Sequence, residues 1–199
     1  MRLHLSLFDS LEAGLDEAGR GSLAGPVTAA AVIFNPGTNL PELNDSKKLT
    51  TNKREILKNE IEKKALAFSV VSVDSKTIDR INILKATMMA MHDAIKSLKI
   101  KPSHLLIDGN YFTRYKDIPH KCIIKGDSKY QNIAAASILA KTYRDKLMIN
   151  LDSKFDKYGW KKNKGYGTLE HKNAIKVYGA SEHHRKSFRL FNKQLVLNL

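Results

Sequence analysis

The hydrophobic pattern changes period along the chain, and the changes mark the elements. Val27–Phe34 (VTAAAVIF) is the longest apolar run. It follows a glycine-rich stretch, so the first 34 residues predict a strand, a turn and a second strand. The segment 35–51 is polar and predicts a loop. Asn52 with Glu55 three positions on has capping-box spacing and predicts a helix to about Lys64. Ala67–Val73 (AFSVVSV) is rich in β-branched residues and predicts a third strand. From Asp74 to Leu98 the apolar positions Ile78, Ile81, Leu84, Met88, Met91 and Ile95 recur at helical spacing, which predicts one long helix. Two short strands follow, His104–Ile107 and Lys121–Ile124. A long helix runs from Ile133 to about Lys154, its first turns (Ala134, Ala135, Ala136, Ser137) small enough to lie close on a sheet. A turn at Gly165-Tyr166-Gly167 and a helix from about Leu169 to Val177 complete the series. Strands first in succession and then alternating with helices predict an α/β fold with a mixed sheet.

Composition narrows the classes. An apolar run of eight residues is far short of the roughly 18 needed to cross a bilayer, so no membrane is expected. The first residues are too early interrupted for a signal peptide. The single cysteine, Cys122, excludes an internal disulfide and fits a reducing, cytoplasmic setting. No HExxH or CxxC pattern supports zinc. At 199 residues with 42% hydrophobic content, one compact functional unit is expected, divided into residues 1–155 and a basic helical segment, 156–199.

Charge points to a partner. The net charge is +14, and residues 154–193 hold eleven Lys or Arg against three acids. The same stretch carries Phe155, Tyr158, Trp160, Tyr166, Tyr178, Phe188 and Phe191. Basic side chains attract phosphates and exposed rings stack on bases, although several of these rings must be core. Nucleic acid is the expected partner.

Against that background the acids stand out. Asp16 and Glu17 sit in GLDEAGRGSLAGP, Asp108 in IDGN and Asp127 in KGDS. Asp16, Asp108 and Asp127 are each expected at a strand end, where α/β sheets assemble ligand sites. Adjacent strand residues face opposite ways, so Asp16 and Glu17 share a site only if the strand ends or bulges there. Gathered carboxylates repel unless a cation lies among them, and oxygen-only donors suit Mg²⁺ or Mn²⁺. Taken alone, Asp127 before Ser128 reads as an ordinary turn residue. Arg20 reads either as an ion-pair partner or as a phosphate or sugar contact. Ser46 and Lys47, in DSKKL, divide evenly between phosphate binding and a solvated face. Asp145 is expected to pair with Lys141, and His183 and His184 to lie on the surface.

Together DEAGRGSLAGPV, DSKKL, IDGN, KGDSKYQNIAAASILAKTYRD and GYGTLEH resemble bacterial ribonuclease HII, in order from about residue 13 to residue 188. The resemblance implies a ribonuclease H-like mixed sheet flanked by helices, with a small C-terminal helical part. It implies endonucleolytic cleavage of RNA joined to or paired with DNA, leaving 3′-hydroxyl and 5′-phosphate ends. It carries metal binding onto Asp16, Glu17, Asp108 and Asp127. It carries reading of the ribose 2′-hydroxyl onto Gly19, Arg20 and Gly21, and a place beside the junction sugar onto Tyr166. The partners implied are an RNA/DNA hybrid and a DNA duplex containing ribonucleotides, bound by a monomer. Ser22 departs from the family's usual proline. Two other readings remain open at this point: a different ribonuclease H-like nuclease such as a DNA resolvase, and a non-catalytic basic nucleic-acid-binding module.

Overall fold

The computed structural model describes residues 3–8, 10–43, 46 and 49–190. Five strands form one sheet: β1 (Glu12–Ala18), β2 (Val27–Phe34), β3 (Ala65–Val73), β4 (His104–Asp108) and β5 (His120–Ile123). Their order is β3-β2-β1-β4-β5. β1 and β3 each pair antiparallel with β2, while β4 lies parallel to β1 and β5 parallel to β4. The sheet is therefore mixed, as the strand pattern predicts.

Both faces of the sheet are covered, which explains why β2 reads as a continuous apolar run. Val27, Ala29, Ala31 and Ile33 pack on one side with Met88, Met91 and Ile95. Ala30, Val32 and Phe34 pack on the other with Leu57, Ile61 and the run Ala134–Ala136. The first group meets α2 (Ser75–Ile81) and α3 (Ile83–Ser97), the second α1 (Thr51–Lys64) and α4 (Gln131–Asp152). The small residues of α4 let it lie directly on β1. A Cβ at Gly14 would stand 2.2 Å from the Asn132 carbonyl carbon, so only glycine admits the helix there.

Two local expectations are corrected. The first helix begins one turn's edge earlier, because Thr50, not Asn52, caps it by accepting from Lys53 N–H. The single helix expected over 74–98 is two. Asn82 takes a left-handed φ of 68° between them, and its side chain caps α3 by accepting from Lys85 N–H. Apolar spacing continues across this break, so periodicity alone does not register it.

The C-terminal part contains α5 (Trp160–Asn163), which no pattern indicated, and α6 (Leu169–Tyr178). Tyr158, Trp160 and Ile175 build a small cluster with Leu23, Ala24 and Met148. Two of the rings in this basic stretch, Tyr158 and Trp160, are thus core, while Tyr166 and Tyr178 are exposed. Phe188 packs against both this cluster and the main core. Phe191 lies outside the described residues.

Candidate active site

Asp16 is not at a strand end. The β1–β2 ladder continues through Asp16–Ala30, Glu17–Ala29 and Ala18–Thr28 without a bulge. What ends is the other ladder: β1 and β4 pair only as far as Leu15–Ile107. Beyond that point the two parallel strands diverge, and the opening between them is where ligand sites form in such sheets. Asp16, Glu17 and Asp108 all line a cleft of about 460 Å³ there, with Ala18, Gly19, Arg20, Gly21, Ser46, Ser137, Lys141 and Tyr166. The expectation that Asp16 and Glu17 share a site only where β1 ends or bulges is corrected: the strand runs on past both, and they share the cleft where β4 stops pairing with β1.

Asp108 ends β4, and its Oδ1 accepts from Gly126 N–H at 2.7 Å. That bond ties the cleft to the 3-10 turn Gly126–Ser128 beyond β5, which carries the buried Asp127. Asp127 is not among the residues that line the cleft. The four acids therefore divide into three in the cleft and one behind Asp108.

Burial is the dominant force on Asp16, pushing its carboxyl well above the usual carboxylate range. The neighbouring Glu17 and Asp108 charges push the same way. Among the described residues, a hydrogen bond from Ser137 and one from Glu17 N–H, at 2.7 Å to Oδ1, oppose them. Ionised Asp16 is thus short of positive charge. Among the described residues, no three acid, histidine or cysteine side chains converge closely enough as they stand to hold a metal. Arg20 Nη1 pairs with Glu17 Oε1 at 3.2 Å. The donor set itself fits a hard divalent cation: oxygens only, one of them buried and under-compensated.

The rim comes from the glycine-rich turn. Gly19 adopts φ +91°, and a Cβ there would lie 1.9 Å from Arg144 Nε, so the protein's own packing demands glycine. Gly21 differs. An added Cβ would meet nothing within 4 Å, and the position is exposed. Ser22, where the family's proline is usual, keeps a weak turn bond from its N–H to Gly19 O at 3.4 Å. Arg20 takes its bland alternative in this structure, pairing with Glu17.

Two buried arginines brace this rim. Arg144 donates to the carbonyls of Pro26 (2.8 Å), Ala24 (3.2 Å) and Lys164 (2.9 Å). Arg185 donates to Gly25 O (3.0 Å) and Arg20 O (2.9 Å). Leu23 N–H meets Gly165 O at 2.8 Å. The Gly-Arg-Gly turn and the Gly-Tyr-Gly turn are thus one hydrogen-bonded assembly. Tyr166 stands over two cations, with Arg144 Cζ at 5.5 Å and Lys141 Nζ at 5.6 Å from its ring centre.

Ser46 is in the cleft, its hydroxyl 2.9 Å from that of Ser137; Lys47 lies outside the described residues. Ser137 and Lys141 were missed by sequence reasoning. Ser137 was read only as a small packing residue, and Lys141 only as the partner of Asp145, which it is, at 2.8 Å. Their spacing of four along α4, counted from the helix face that Gly14 admits, was the available signal. His184 overturns another expectation: it is 1% exposed, packed against Tyr158 and Trp160 rather than on the surface.

Known structures give the class. The fold matches a crystal structure of ribonuclease H2 from Pyrococcus horikoshii with TM-score 0.75 and 27% identity, covering 90% of this chain and 94% of that one. It matches a structure of the PCNA:RNase HII complex from Archaeoglobus fulgidus with TM-score 0.78 and 27% identity, covering 93% and 98%. This is the ribonuclease H architecture in its type 2 form. Sequence comparison then fixes the family. A profile described as Ribonuclease HII matches residues 13–191. Ribonuclease HII of Christiangramia forsetii is 56% identical over 186 residues, 94% of each chain, and that of Parabacteroides distasonis 54% over 187 residues, again 94% of each. The chain belongs to the ribonuclease HII family.

Proposed function

We propose that this protein is a divalent-metal-dependent endoribonuclease that cleaves the RNA strand of RNA/DNA hybrids and cuts at ribonucleotides embedded in duplex DNA. It leaves 3′-hydroxyl and 5′-phosphate ends. Family membership supports the activity. The observation that carries the substrate reading is the contrast between Gly19 and Gly21 on the cleft rim. Packing explains the first glycine; among the described residues no contact requires the second. Its bare backbone leaves room for a ligand to approach main-chain groups, and the 2′-hydroxyl, which both donates and accepts, is the ribose's distinguishing group.

Asp16, Glu17, Asp108 and Asp127 would hold Mg²⁺ or Mn²⁺, as a pair of ions. When bound, such ions lower the pKa of an attacking water and offset charge developing on the phosphate and the leaving oxygen. The protein's own groups do the rest. Ser137 and Glu17 N–H hold the Asp16 carboxylate in place. Gly126 N–H orients Asp108, and through the same turn sets Asp127 behind it. Gly19, Arg20 and Gly21 present the rim to the ribose, and Tyr166 aligns the neighbouring sugar. Ser46, Lys47 and Lys141 meet backbone phosphates. A site built to bond a hydroxyl leaves polar groups unpaired when deoxyribose is offered, which gives discrimination. The C-terminal segment supplies phosphate contacts from its exposed lysines. Among the described residues no helix is long and apolar enough to cross a membrane, and we place the enzyme in the cytoplasm as a monomer.

The acids in the cleft disfavour a purely binding module, and the two glycine turns disfavour a resolvase that ignores ribose. A duplex with one ribonucleotide, beside an all-DNA duplex, separates all three. Cleavage only with ribose and Mg²⁺, abolished by EDTA, is expected. Equal cleavage of all-DNA, or none of either duplex, overturns the reading.

A further inference from the structure

Tyr166 is held by more than its ring. Its carbonyl accepts from Thr168 N–H at 2.8 Å and lies 2.9 Å from His171 Nδ1. On the far side of that imidazole, Nε2 stands 3.0 Å from Trp160 Nε1 and 3.1 Å from His184 Nε2. His184 Nδ1 in turn lies 2.9 Å from both the N–H and the hydroxyl of Ser181. Trp160, His171 and His184 are all buried, at 0, 0 and 1% exposure. None lines the cleft.

The proton positions follow from which groups can only donate or only accept. A carbonyl only accepts, so His171 carries its proton on Nδ1. An indole N–H only donates, so His171 Nε2 is the bare lone pair. Ser181 N–H only donates, so His184 Nδ1 is bare and its proton sits on Nε2, from which it is donated to His171 Nε2. One arrangement gives every N–H a partner, with two neutral histidines in opposite tautomers and the single lone pair of His171 Nε2 shared between the Trp160 and His184 N–H groups. The other tautomer of His171 would set two donors head-on and leave the Tyr166 bond unmade.

We propose that His171 is a positioning residue for Tyr166, its tautomer imposed by Trp160 and His184. The segment 181–184, remote from the acids, thereby takes part in recognising the RNA–DNA junction. The inference rests on the reading of Tyr166 given above. His171 fixes the main chain of the Gly-Tyr-Gly turn, while Arg144 and Lys141 attract the ring. Both are needed to hold the ring at one place against a sugar.

Two arms test it on the full chain. In the first, long-range ¹H–¹⁵N spectra at neutral pH report the side-chain nitrogens. Nδ1–H for His171 and Nε2–H for His184 are expected; the same tautomer at both, or averaging, overturns the proposal. In the second, His171→Leu is compared with His171→Asn, whose amide nitrogen overlays Nδ1. On a single-ribonucleotide duplex His171→Leu should lose about tenfold in kcat with KM little changed, the order expected for one hydrogen bond. It should lose less on a continuous hybrid, and Asn should restore most of the difference. Equal losses on both substrates overturn the positioning role. Tyr166→Ala, run in parallel, separates the two levels. If it shows no preference between substrates, the reading of Tyr166 itself fails. If it does and His171→Leu does not, only the present proposal fails. Should His171→Leu not fold, Trp160→Phe keeps the ring and deletes the donor. A smaller loss in the same direction supports the proposal, and an unchanged ratio overturns it.

Discussion

Strand β1 buries two carboxylates and makes opposite use of them. Glu12 and Asp16 are 5 and 6% exposed, four residues apart on one strand. Burial raises the pKa of both above the usual range. At Glu12 the protein supplies the remedy. Leu7 N–H, Phe8 N–H and Asn132 Nδ2 all donate to it, at 3.0 to 3.1 Å, and the carboxylate anchors the N-terminal segment. At Asp16 the protein supplies further acids. A buried charge without compensation is costly, and the proposed cation would offset that cost at Asp16. Burial alone does not mark a functional acid; the poverty of its protein donors does.

The largest expected effect follows from removing the uncompensated charge. Asp16→Asn should lower turnover by about a thousandfold, the order seen when one electrostatic contributor leaves an active site, while duplex affinity is kept. Metal-free, the variant should melt higher than the parent. Asp16's raised pKa means that its contribution to stability is present below pH 3.8, its ordinary value, and is lost as pH rises through the folded-state pKa. Loss of turnover together with a lower melting temperature would break the comparison.

A histidine sharpens it from the other sign. Burial first, then His171 and His183, push His184 down to about 4, with Ser181 opposing and the Tyr158 and Trp160 rings adding no charge. The unfolded chain takes up this proton near pH 6.5 and the folded chain does not. Stability is therefore full above pH 6.5 and declines as pH falls towards 4, by about 3 kcal/mol for this group. Denaturant titrations across that window, compared with His184→Gln, measure it; a parallel pH dependence in the two proteins would contradict it.

Glu12→Gln should do the reverse of Asp16→Asn. An amide NH₂ facing backbone donors leaves one unmet, at a cost of about 2 kcal/mol, with kcat at moderate temperature unchanged. Reduced kcat in a fully folded Glu12→Gln would place Glu12 in the machinery. The smallest effect concerns the exposed Lys161 and Lys162. Alanine at both should lower the slope of log affinity against log salt by about 1 per lysine and leave the cleavage position alone.

The sequence made the acids legible because a carboxylate pair beside glycines is out of place in a basic chain. It made β2 legible because a strand buried on both faces is continuously apolar. What it hid was set by tertiary contact. His183 and His184 sit in a polar stretch, and only the arrival of Trp160 and Tyr158 buries the second. Asn82 breaks a helix whose apolar spacing runs on unperturbed. Ser137 and Lys141 look like packing and an ion pair until α4 is laid across Gly14, which turns that face towards Asp16.

On this reading a cation completes Asp16 and the protein completes Glu12. Thermal unfolding of the parent, Asp16→Asn and Glu12→Gln, each in EDTA and then in saturating Mg²⁺ or Mn²⁺, tests it most directly. A ligand bound only by the folded state raises stability by an amount set by its affinity, about 2.7 kcal/mol at a hundred times its Kd. The metal is expected to raise the melting temperature of the parent and of Glu12→Gln alike and to leave Asp16→Asn nearly unmoved. An equal rise in all three, or none in the parent, would contradict it.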